Sequence, residues 1–453
     1  MNNYTIIIST CTVVALVLLR SSTVTKNKNT KQSPTNKKNT NVTTPSPSPS
    51  PSPPQLHDIE NVTNTSICPE PDCETGKGNP KYLYHPKNLN EVQAIIRAQH
   101  FGKTVKVSGS HKHKDISYTK DVIIRTLLLN KILDLHKQNN TITVESGLLL
   151  SDLYEYLDTH GLALSVVSQN GWKSVGSAVC TSDHGSNILQ GTICSLVQNI
   201  KVVLANGTIS SYSKHDKEFH AIVGGTGGIA FIYSITLLCS PAYNIHQSIT
   251  HTSWQDISTK LTLNTCLDKH PCSELNINPH TNNCTVTSRE PVVNTLLQNI
   301  SSTLSPNTSP SYKVLSGKVY RDQTREFGVE YDSLVPAVND VLDIITNSND
   351  RDVSICLRFS GKDEHSLLST ASNRQHTCWI DINGGCDKLL QSIETRLIST
   401  YKGRPSIHGK NTINEQTMMK LYDNEFHEYK HIRNLLDPER IFTNDYIRVR
   451  FGM

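Results

Sequence analysis

The sequence has little excess charge of either sign. Its 44 Lys and Arg residues stand against 40 Asp and Glu residues, a formal net charge of +4 over 453 residues. That balance excludes a charge-driven nucleic-acid binder and a polybasic membrane-surface protein as leading interpretations. The 12 cysteines form no paired Cys-x-x-Cys clusters, so neither a zinc framework nor another metal site is expected. No internal repeat of fixed period occurs.

The N-terminus lacks an apolar run long enough to be a comfortable transmembrane helix. Residues 6–19 are mostly apolar but contain polar interruptions, and about 20 residues are needed to span a bilayer. Such a run suits the core of a signal peptide. No Lys or Arg precedes it, whereas Arg20, Lys26 and Lys28 follow it, a charge order that disfavours the secretory orientation. We interpret residues 1–20 as a signal peptide or a signal anchor.

Other features favour the secretory route. The cysteines are numerous for a reducing compartment. Cys68 and Cys73 suggest a local disulfide, and Cys180 could either pair with Cys194 or be a buried thiol. The joint expectation is a secreted or cell-surface protein, with membrane anchoring through the N-terminal segment as the alternative. Sequons for N-linked glycans occur at Asn41, Asn61, Asn64, Asn139, Asn206, Asn283, Asn299 and Asn307.

Residues 21–56 are predicted to be a disordered linker rich in Pro, Ser and Thr. They show no periodic apolar pattern, and residues 44–54 read TPSPSPSPSPP, which is typical of a polyproline-II spacer. The segment is either a stalk that holds the folded part away from a membrane or wall, or a solvated tail.

The rest of the chain, roughly 390 residues, is long enough for two domains. Residues 80–240 alternate between strand and helix patterns. Asn88 or Asn90 can cap a first helix that ends at Gly102, and Asn206-Gly207 is a strong hairpin signal. The clearest further elements are strands at 104–107, 122–125 and 141–145 and a helix at 148–160.

Residues 241–400 change character and are predicted to form a second domain. Alternating stretches at 353–359 and 378–382 indicate an antiparallel sheet. The last part of the chain, residues 401–453, contains a long helical pattern at 414–436. We expect an α+β fold in which residues 80–240 form two adjacent α/β lobes. Trp172 and Trp379 are expected in the core.

Three glycine-rich clusters in the first predicted domain are candidates for chemistry: residues 107–111, 175–186 and 224–229. None is a Walker loop, because no Gly-Lys-Ser/Thr follows, and none is a clean Gly-x-Gly-x-x-Gly that opens a long helix. Glycine lets backbone N–H groups approach an anion closely, and Ser and Thr hydroxyls add donors. One such cluster is more often an ordinary turn, but three together favour a diphosphate site between two lobes.

The order of these clusters resembles the vanillyl-alcohol oxidase (PCMH-type) FAD-binding superfamily. Within it the chain is similar to the sugar-1,4-lactone oxidase family, and the plant-type L-gulonolactone oxidases look nearest. The resemblance covers residues 80–240 and 400–450 well and is faint between them. Its supporting stretches are Tyr84-His85-Pro86, the His111 loop, Val144-Glu145-Ser146-Gly147, Thr181 to Ser186, Gly225 to Ile229, Gly403-Arg404-Pro405, His408-Gly409-Lys410 and Leu436-Asp437-Pro438-Glu439-Arg440-Ile441-Phe442.

The resemblance implies a two-lobed PCMH-type FAD-binding domain and a substrate (cap) domain with an antiparallel sheet and flanking helices. It implies FAD as the cofactor and oxidation of a CH–OH group of an aldono-1,4-lactone or related sugar, with hydride passing to flavin N5. The electrons would then reach O₂, giving hydrogen peroxide, or another acceptor. The alternatives are an alditol or free-sugar oxidase, and a flavin-binding protein that has lost catalysis.

The resemblance also implies roles for individual residues. His111 stands where many relatives attach the flavin covalently. Arg358 would orient the substrate hydroxyls, Lys410 would stabilise the negative charge of the reduced flavin, and His408 would lie near the flavin. The other residues expected to contact FAD are Ser108, Gly109, Ser110, Gly176, Ser177, Thr181, Ser182, His184, Gly185, Gly225, Gly228 and Ile229.

Two departures from the family pattern fall on the substrate side. Relatives carry Glu-x-Arg on a substrate-domain strand, but this chain reads Cys356-Leu357-Arg358, so the acid is missing and the catalytic base is unassigned. Relatives also read Arg-Pro-His-Trp-Gly-Lys, whereas here Ser406-Ile407-His408 replaces His-Trp. These changes make the sugar substrate less certain than the cofactor.

We predict a covalent link between His111 and the flavin, against the alternative of a loop histidine that only hydrogen-bonds near the ring. After acid precipitation and peptide mapping, yellow colour should stay with the peptide that contains His111. In His111→Ala the colour should pass to the supernatant. Free FAD released from the wild-type protein would refute the link and leave the cofactor assignment standing.

Overall fold

The computed structural model describes residues 80–99, 102–109, 114–293, 308–316, 324–407 and 411–452. Its helices are α1 (Leu89–Arg97), α2 (Lys114–Ser117), α3 (Leu150–Thr159), α4 (Val175–Cys180), α5 (Lys217–Ile222), α6 (Trp254–Ile257), α7 (Lys260–Lys269), α8 (Ser311–Leu315), α9 (Leu334–Thr346), α10 (Asp387–Tyr401), α11 (Glu415–Leu436) and α12 (Asp445–Phe451).

The strands of the described part form one parallel sheet and three antiparallel sheets. They are β1 (Tyr82–Tyr84), β2 (Val105–Ser108), β3 (Val122–Arg125), β4 (Ile132–His136), β5 (Thr141–Glu145), β6 (Leu162–Ala163), β7 (Val197–Val203), β8 (Ile209–Ser213), β9 (Phe231–Leu238), β10 (Ser240–Pro241), β11 (Tyr243–Ser253), β12 (Glu274–Ile277), β13 (Asn283–Val293), β14 (Thr308–Pro310), β15 (Thr324–Glu330), β16 (Val353–Gly361), β17 (His376–Gly384) and β18 (Arg404–Pro405).

The first lobe is a small parallel sheet in the order β1-β3-β2. Helix α1 covers it with the fully buried Val92, Ile95 and Ile96. Asn88 caps this helix by accepting a hydrogen bond from the backbone N–H of Glu91 at 3.0 Å, which confirms one of the two predicted caps. The helix ends at Arg97, earlier than the predicted stop at Gly102, because the chain turns at Ala98.

The second lobe is an antiparallel sheet in the order β4-β5-β9-β7-β8. The predicted hairpin joins β7 to β8. Gly207 has a φ of 77°, a left-handed conformation that glycine adopts without steric cost, and the Asn206 side chain accepts the Thr208 N–H at 2.9 Å. Helix α3 and the fully buried strand residues Ile142, Val144 and others fill the core of this lobe.

The third sheet has eight antiparallel strands in the order β14-β11-β13-β12-β16-β17-β15-β18. Helices α9 and α10 pack on one face. Successive strand side chains point to opposite faces, so Ile355, Leu357 and Phe359 of β16 enter that core. Cys356 and Arg358 therefore point to the other face, which is turned towards residues of the second lobe. This sheet confirms the antiparallel substrate region expected from the sequence.

The C-terminal segment connects the third sheet to the first two lobes. Strand β18 pairs with β15 at the sheet edge. Helix α11 covers nearly all of the predicted 414–436 helix but is kinked at Asp423, where φ is 42°. Beyond it, the buried Asp437 carboxylate accepts the backbone N–H groups of Ile441 and Phe442, and Phe442 packs in the first lobe.

The described residues, from 80 to 452, belong to one compact unit, so the boundaries at 240 and 400 stay predictions. Residues 1–53 and the predicted leader and linker lie outside the described part, as do Cys68 and Cys73. Among the described helices, none has the length and apolarity required to cross a membrane. Trp379 is in the core as expected, whereas Trp172 is 52% exposed and the prediction for it was wrong.

Candidate functional site

The first glycine cluster lies directly against the second. Strand β2 ends at Ser108, and Gly109 follows with no room for a side chain. A Cβ at Gly109 would lie 2.3 Å from the Ser174 Oγ and 2.4 Å from the Ser177 Oγ. The predicted flavin residues Ser108, Gly109 and Ser177 are therefore brought together. Ser110 and His111 lie outside the described residues.

The second cluster surrounds the short helix α4. Ser174 caps it by accepting the N–H of Ser177 at 3.2 Å. Gly176 is packed on Ser146, because its N–H donates to the Ser146 carbonyl at 2.8 Å and a Cβ there would lie 2.7 Å from the Ser146 Cβ. The Thr181 hydroxyl donates a hydrogen bond to the Ser177 carbonyl at 2.6 Å.

The third cluster completes the arrangement. Ser182 has a φ of 51°, and a Cβ on Gly224 would lie 2.5 Å from its Oγ, so the second and third clusters touch. Gly225 and Gly228 are held from the far side, since Tyr429 Oη donates to the Gly225 carbonyl at 3.1 Å and Arg433 Nε to that of Gly228 at 2.6 Å. Ile229 is buried next to them.

A buried lysine joins the third cluster to the first. Lys106, on β2, directs its Nζ to the Gly227 carbonyl at 3.1 Å. Burial lowers the pKa of Lys106 to about 7, although the nearby Cys180 opposes the shift. The three clusters that the sequence separates by up to about 120 residues are thus contiguous in the fold.

The walls of this cradle contain buried polar atoms available to a ligand. The hydroxyls of Ser146 and Thr126 are buried and have no hydrogen-bond partner among the described residues, a costly arrangement unless another group satisfies them. Thr126 is tied to Ser108 through a backbone hydrogen bond of 3.0 Å. Bare glycine backbone beside free hydroxyls fits a diphosphate. Among the described residues, no group of His, Cys, Asp and Glu is arranged to hold a metal ion.

The polar face of the third sheet carries a charged group centred on Glu326 of β15. Its Oε1 makes a close ion pair with Nη2 of Arg358 on β16, and the same oxygen lies 3.1 Å from Nε2 of His184. Burial alone would lower the pKa of Arg358, but the carboxylates of Glu326 and Asp381 outweigh it and raise that pKa. An acid therefore accompanies Arg358, which corrects the expectation that the acid is missing.

His184 is fixed on both sides of its ring. It stacks on Trp379 with the ring centroids 3.6 Å apart and the planes at 11°. Its Nδ1 lies 2.8 Å from the Gly185 carbonyl oxygen, which can only accept, so Nδ1 carries a proton. The structure places His184 beside the substrate face and not only beside the glycine clusters.

A second ion pair extends the polar face. Arg289 Nη1 lies 2.7 Å from the Glu274 Oε1, on neighbouring strands, and Gln169 donates to the same oxygen at 2.5 Å. Cys356 lies opposite Asn276 of β12 and Asp381 of β17 in the strand register.

The sequence pattern missed Glu326 for a topological reason. The family pattern puts the acid on the strand of Arg358, whereas Glu326 lies on β15, which is separated from β16 by β17. The alternation of core residues Phe327 and Val329 with Glu326 was the available signal. His408 and Lys410 lie outside the described residues. Ser406, shortly before them, donates its N–H to the Glu326 carbonyl at 2.7 Å.

Seven of the described cysteines are free thiols: Cys180, Cys194, Cys239, Cys266, Cys284, Cys378 and Cys386. The Cys180–Cys194 disulfide, one of two alternatives, is not formed. Cys180 is a thiol, as in the other alternative, but the residue is only partly buried. Burial of the thiol group raises its pKa to about 11.

Comparison with known proteins finds a family match on each of two long stretches of this chain. Residues 80–213 match the FAD binding domain family, and residues 286–450 match the D-arabinono-1,4-lactone oxidase family. The chain is 32% identical over 171 residues to the L-gulonolactone oxidase of Mus musculus, covering 37% of this chain and 39% of that protein. It is 30% identical over 177 residues to the D-arabinono-1,4-lactone oxidase of Eremothecium gossypii, covering 37% of this chain and 33% of that protein.

The match to these relatives thus spans about two fifths of their length or less. A longer alignment joins 82% of this chain to 96% of the L-gulono-1,4-lactone dehydrogenase of Mycobacterium tuberculosis, at 24% identity. The fold is that of the cholesterol oxidase from Brevibacterium sterolicum, with a TM-score of 0.69 at 14% identity over 82% of this chain and 94% of that one. One chain thus contains a region that matches an FAD binding domain and a region that matches D-arabinono-1,4-lactone oxidase, and this protein is similar to the sugar-lactone oxidases.

Proposed function

We propose that this protein is an FAD-dependent oxidoreductase that oxidises a CH–OH group of an aldono-1,4-lactone. The observation that carries the proposal is the position of His184. It extends from the second glycine cluster to the Glu326–Arg358 pair on the substrate sheet. A cofactor cradle and a polar, sugar-binding face therefore meet at one residue.

Different clusters of the described residues would bind different parts of FAD. Gly109 and Gly176 let the clusters pack closely together, and the Ser146 and Ser177 hydroxyls beside them would hydrogen-bond the diphosphate. The 224–229 loop, gripped by helix α11, holds the adenine side. Bound FAD supplies the two-electron acceptor that alcohol oxidation requires. Lys410 and His408 are proposed to lie near the flavin, as the family pattern implies.

The polar face of the third sheet binds and orients the sugar. Arg358 donates hydrogen bonds to hydroxyl oxygens, and its own charge is balanced by Glu326. Buried polar groups arranged for hydroxyls select substrates that supply them. O₂ is the proposed final electron acceptor, with another acceptor as the alternative.

Two other functions are separable from this one. An alditol or free sugar would use the same face and differ only in the substrate that reduces the protein. A flavin-binding protein without catalysis gained support from Cys356 in the place of the family acid. The Glu326–Arg358 pair removes that support, because a carboxylate is present at the site.

We also propose that the protein is secreted or displayed on a cell surface. The asparagines of three sequons, Asn139, Asn206 and Asn283, are exposed, as glycan attachment requires. The free thiols do not add support, since disulfides are the usual mark of this route. A membrane anchor at the N-terminus is the alternative form of the same proposal.

Gly109→Ala is expected to lower the flavin content of the purified protein. The new Cβ would displace the Ser174 and Ser177 hydroxyls, and overpacking of this kind costs about 1–3 kcal/mol. The measurement is the ratio of flavin to protein absorbance and the dissociation constant of FAD. Gly171→Ala is the matched control, because its Cβ would meet the Ser316 Oγ at 2.9 Å and the Ser151 Cβ at 3.6 Å, both outside the three clusters. Equal flavin retention in both variants would contradict the assigned cradle.

The purified protein is expected to be yellow and to be bleached by an aldono-1,4-lactone without added reductant. L-gulono-1,4-lactone, D-arabinono-1,4-lactone, an alditol and a free aldose should be tested anaerobically, with hydrogen peroxide assayed once air is admitted. Bleaching by the alditol or the aldose alone would change the proposed substrate class from a lactone to that compound. A yellow protein that none of the four reduces would overturn the proposed activity.

The compartment is tested by glycan state. Endoglycosidase treatment of native protein should lower its apparent mass, and peptide mapping should find glycans on one or more of Asn139, Asn206 and Asn283. An unchanged mass for protein isolated from its source would remove the secretory proposal and leave the enzyme proposal intact.

A further inference from the structure

We infer that Glu326 and Arg358 form one acceptor–donor unit that binds two neighbouring hydroxyls of an uncharged sugar ring. In this unit Glu326 supplies the carboxylate that the chain lacks at Cys356. The inference rests on the proposed function and deepens it, because it names the chemical class of substrate and the residue that selects it.

The geometry of the unit is set before any ligand binds. Glu326 and Arg358 touch through Oε1 and Nη2, with side chains only 11% and 10% exposed. His184 holds the same carboxylate oxygen from a second direction at 3.1 Å and is itself locked by Trp379. A preorganised pair loses little conformational entropy on binding.

The direction of Glu326 is enforced by its strand. The preceding residue, Arg325, points to the opposite side of β15 and pairs with the Glu394 carboxylate of α10 at 2.8 Å. Phe327, which follows, enters the hydrophobic core. A one-residue slip would bury the Glu326 charge against α10, so the register is strongly specified.

An adjacent carboxylate and guanidinium match a vicinal diol. One hydroxyl donates to Glu326, and its neighbour accepts from Arg358. Hydrogen bonds to a charged group contribute about 1.5–3 kcal/mol each, which corresponds to roughly 10–150-fold in affinity. Cys356 provides neither a charge nor a strong acceptor.

The same face disfavours an anionic ligand. Arg358 is matched by Glu326, and Arg289 is matched by Glu274. Asp381 adds a further acidic side chain, close enough to raise the pKa of Arg358. An aldonate, the open-chain anion formed when the lactone hydrolyses, therefore meets guanidinium groups whose charge is already balanced. The face selects the neutral lactone over this anion.

The test uses the flavin-loaded protein with its FAD reduced beforehand under anaerobic conditions, so that ligands bind without turnover. Calorimetric titration with L-gulono-1,4-lactone and, separately, L-gulonate gives the two dissociation constants. Glu326→Gln keeps the shape and removes the charge. We expect its lactone affinity to fall by roughly 10–150-fold and its preference for lactone over gulonate to narrow.

Glu330→Gln is the matched control, because it removes a carboxylate from the same strand at an exposed position. It should leave both dissociation constants unchanged. The double variant Glu326→Gln, Cys356→Glu moves the carboxylate to the strand of Arg358 and should recover lactone affinity. Flavin content and melting temperature check that each variant is folded. Where Glu326→Gln fails this check, Glu326→Asp, which keeps the charge and withdraws it by one methylene, is measured and should also bind lactone more weakly.

Lactone affinity in a folded Glu326 variant equal to that of the wild type would overturn the inference. If a lactone bleaches the wild type while the variants bind the lactone with the wild-type dissociation constant, the proposed function still holds. Only the role assigned to Glu326 is then wrong. If the wild type neither binds nor is bleached by any lactone, the proposed function fails, and the inference fails with it.

Discussion

The site depends on one stretch of chain, residues 183–187, which passes from the second glycine cluster onto the substrate sheet. At its start, the buried Asp183 carboxylate pairs with the Lys173 ammonium at 2.7 Å. At its end, Asn187 donates its N–H to the Phe359 carbonyl at 2.8 Å. Between them, His184 reaches Glu326. Because both ends are tied to rigid elements, a side chain one residue from the buried ion pair can contact a strand of another sheet.

This stretch explains why the cradle and the sugar face need not be built by neighbouring sequence. Ser186 continues the crossing, as its hydroxyl donates to the Ser273 carbonyl at 2.5 Å. The second cluster thus contributes to both binding functions, through glycine on one side and through His184 on the other.

The features that could be predicted from the sequence are those encoded by neighbouring residues. The Asn88 cap, the Asn206-Gly207 hairpin and the glycine clusters each follow from a few adjacent residues, and the structure has them in the expected form. Residues that depend on strand order could not be found this way. Glu326 reaches Arg358 only because β17 lies between their strands, and no spacing in the sequence encodes that order. The predicted burial of Trp172 was wrong for a related reason, since a tryptophan outside any periodic apolar pattern gives no signal of burial. The roles of His111, His408 and Lys410 stay predictions.

Helix α11 is hydrogen-bonded to the 224–229 loop. It thereby links the C-terminal part of the chain to the proposed cofactor site. Tyr429 and Arg433 donate hydrogen bonds to carbonyl groups of the loop. Packing of the helix against the loop and the shape of the loop at the proposed adenine side are therefore coupled. Any ligand that binds only the docked form stabilises it by mass action. In a cell, the C-terminal helix would therefore be most exposed to proteases while the newly made chain waits for its flavin, and the supply of FAD would set how much of the protein survives to maturity.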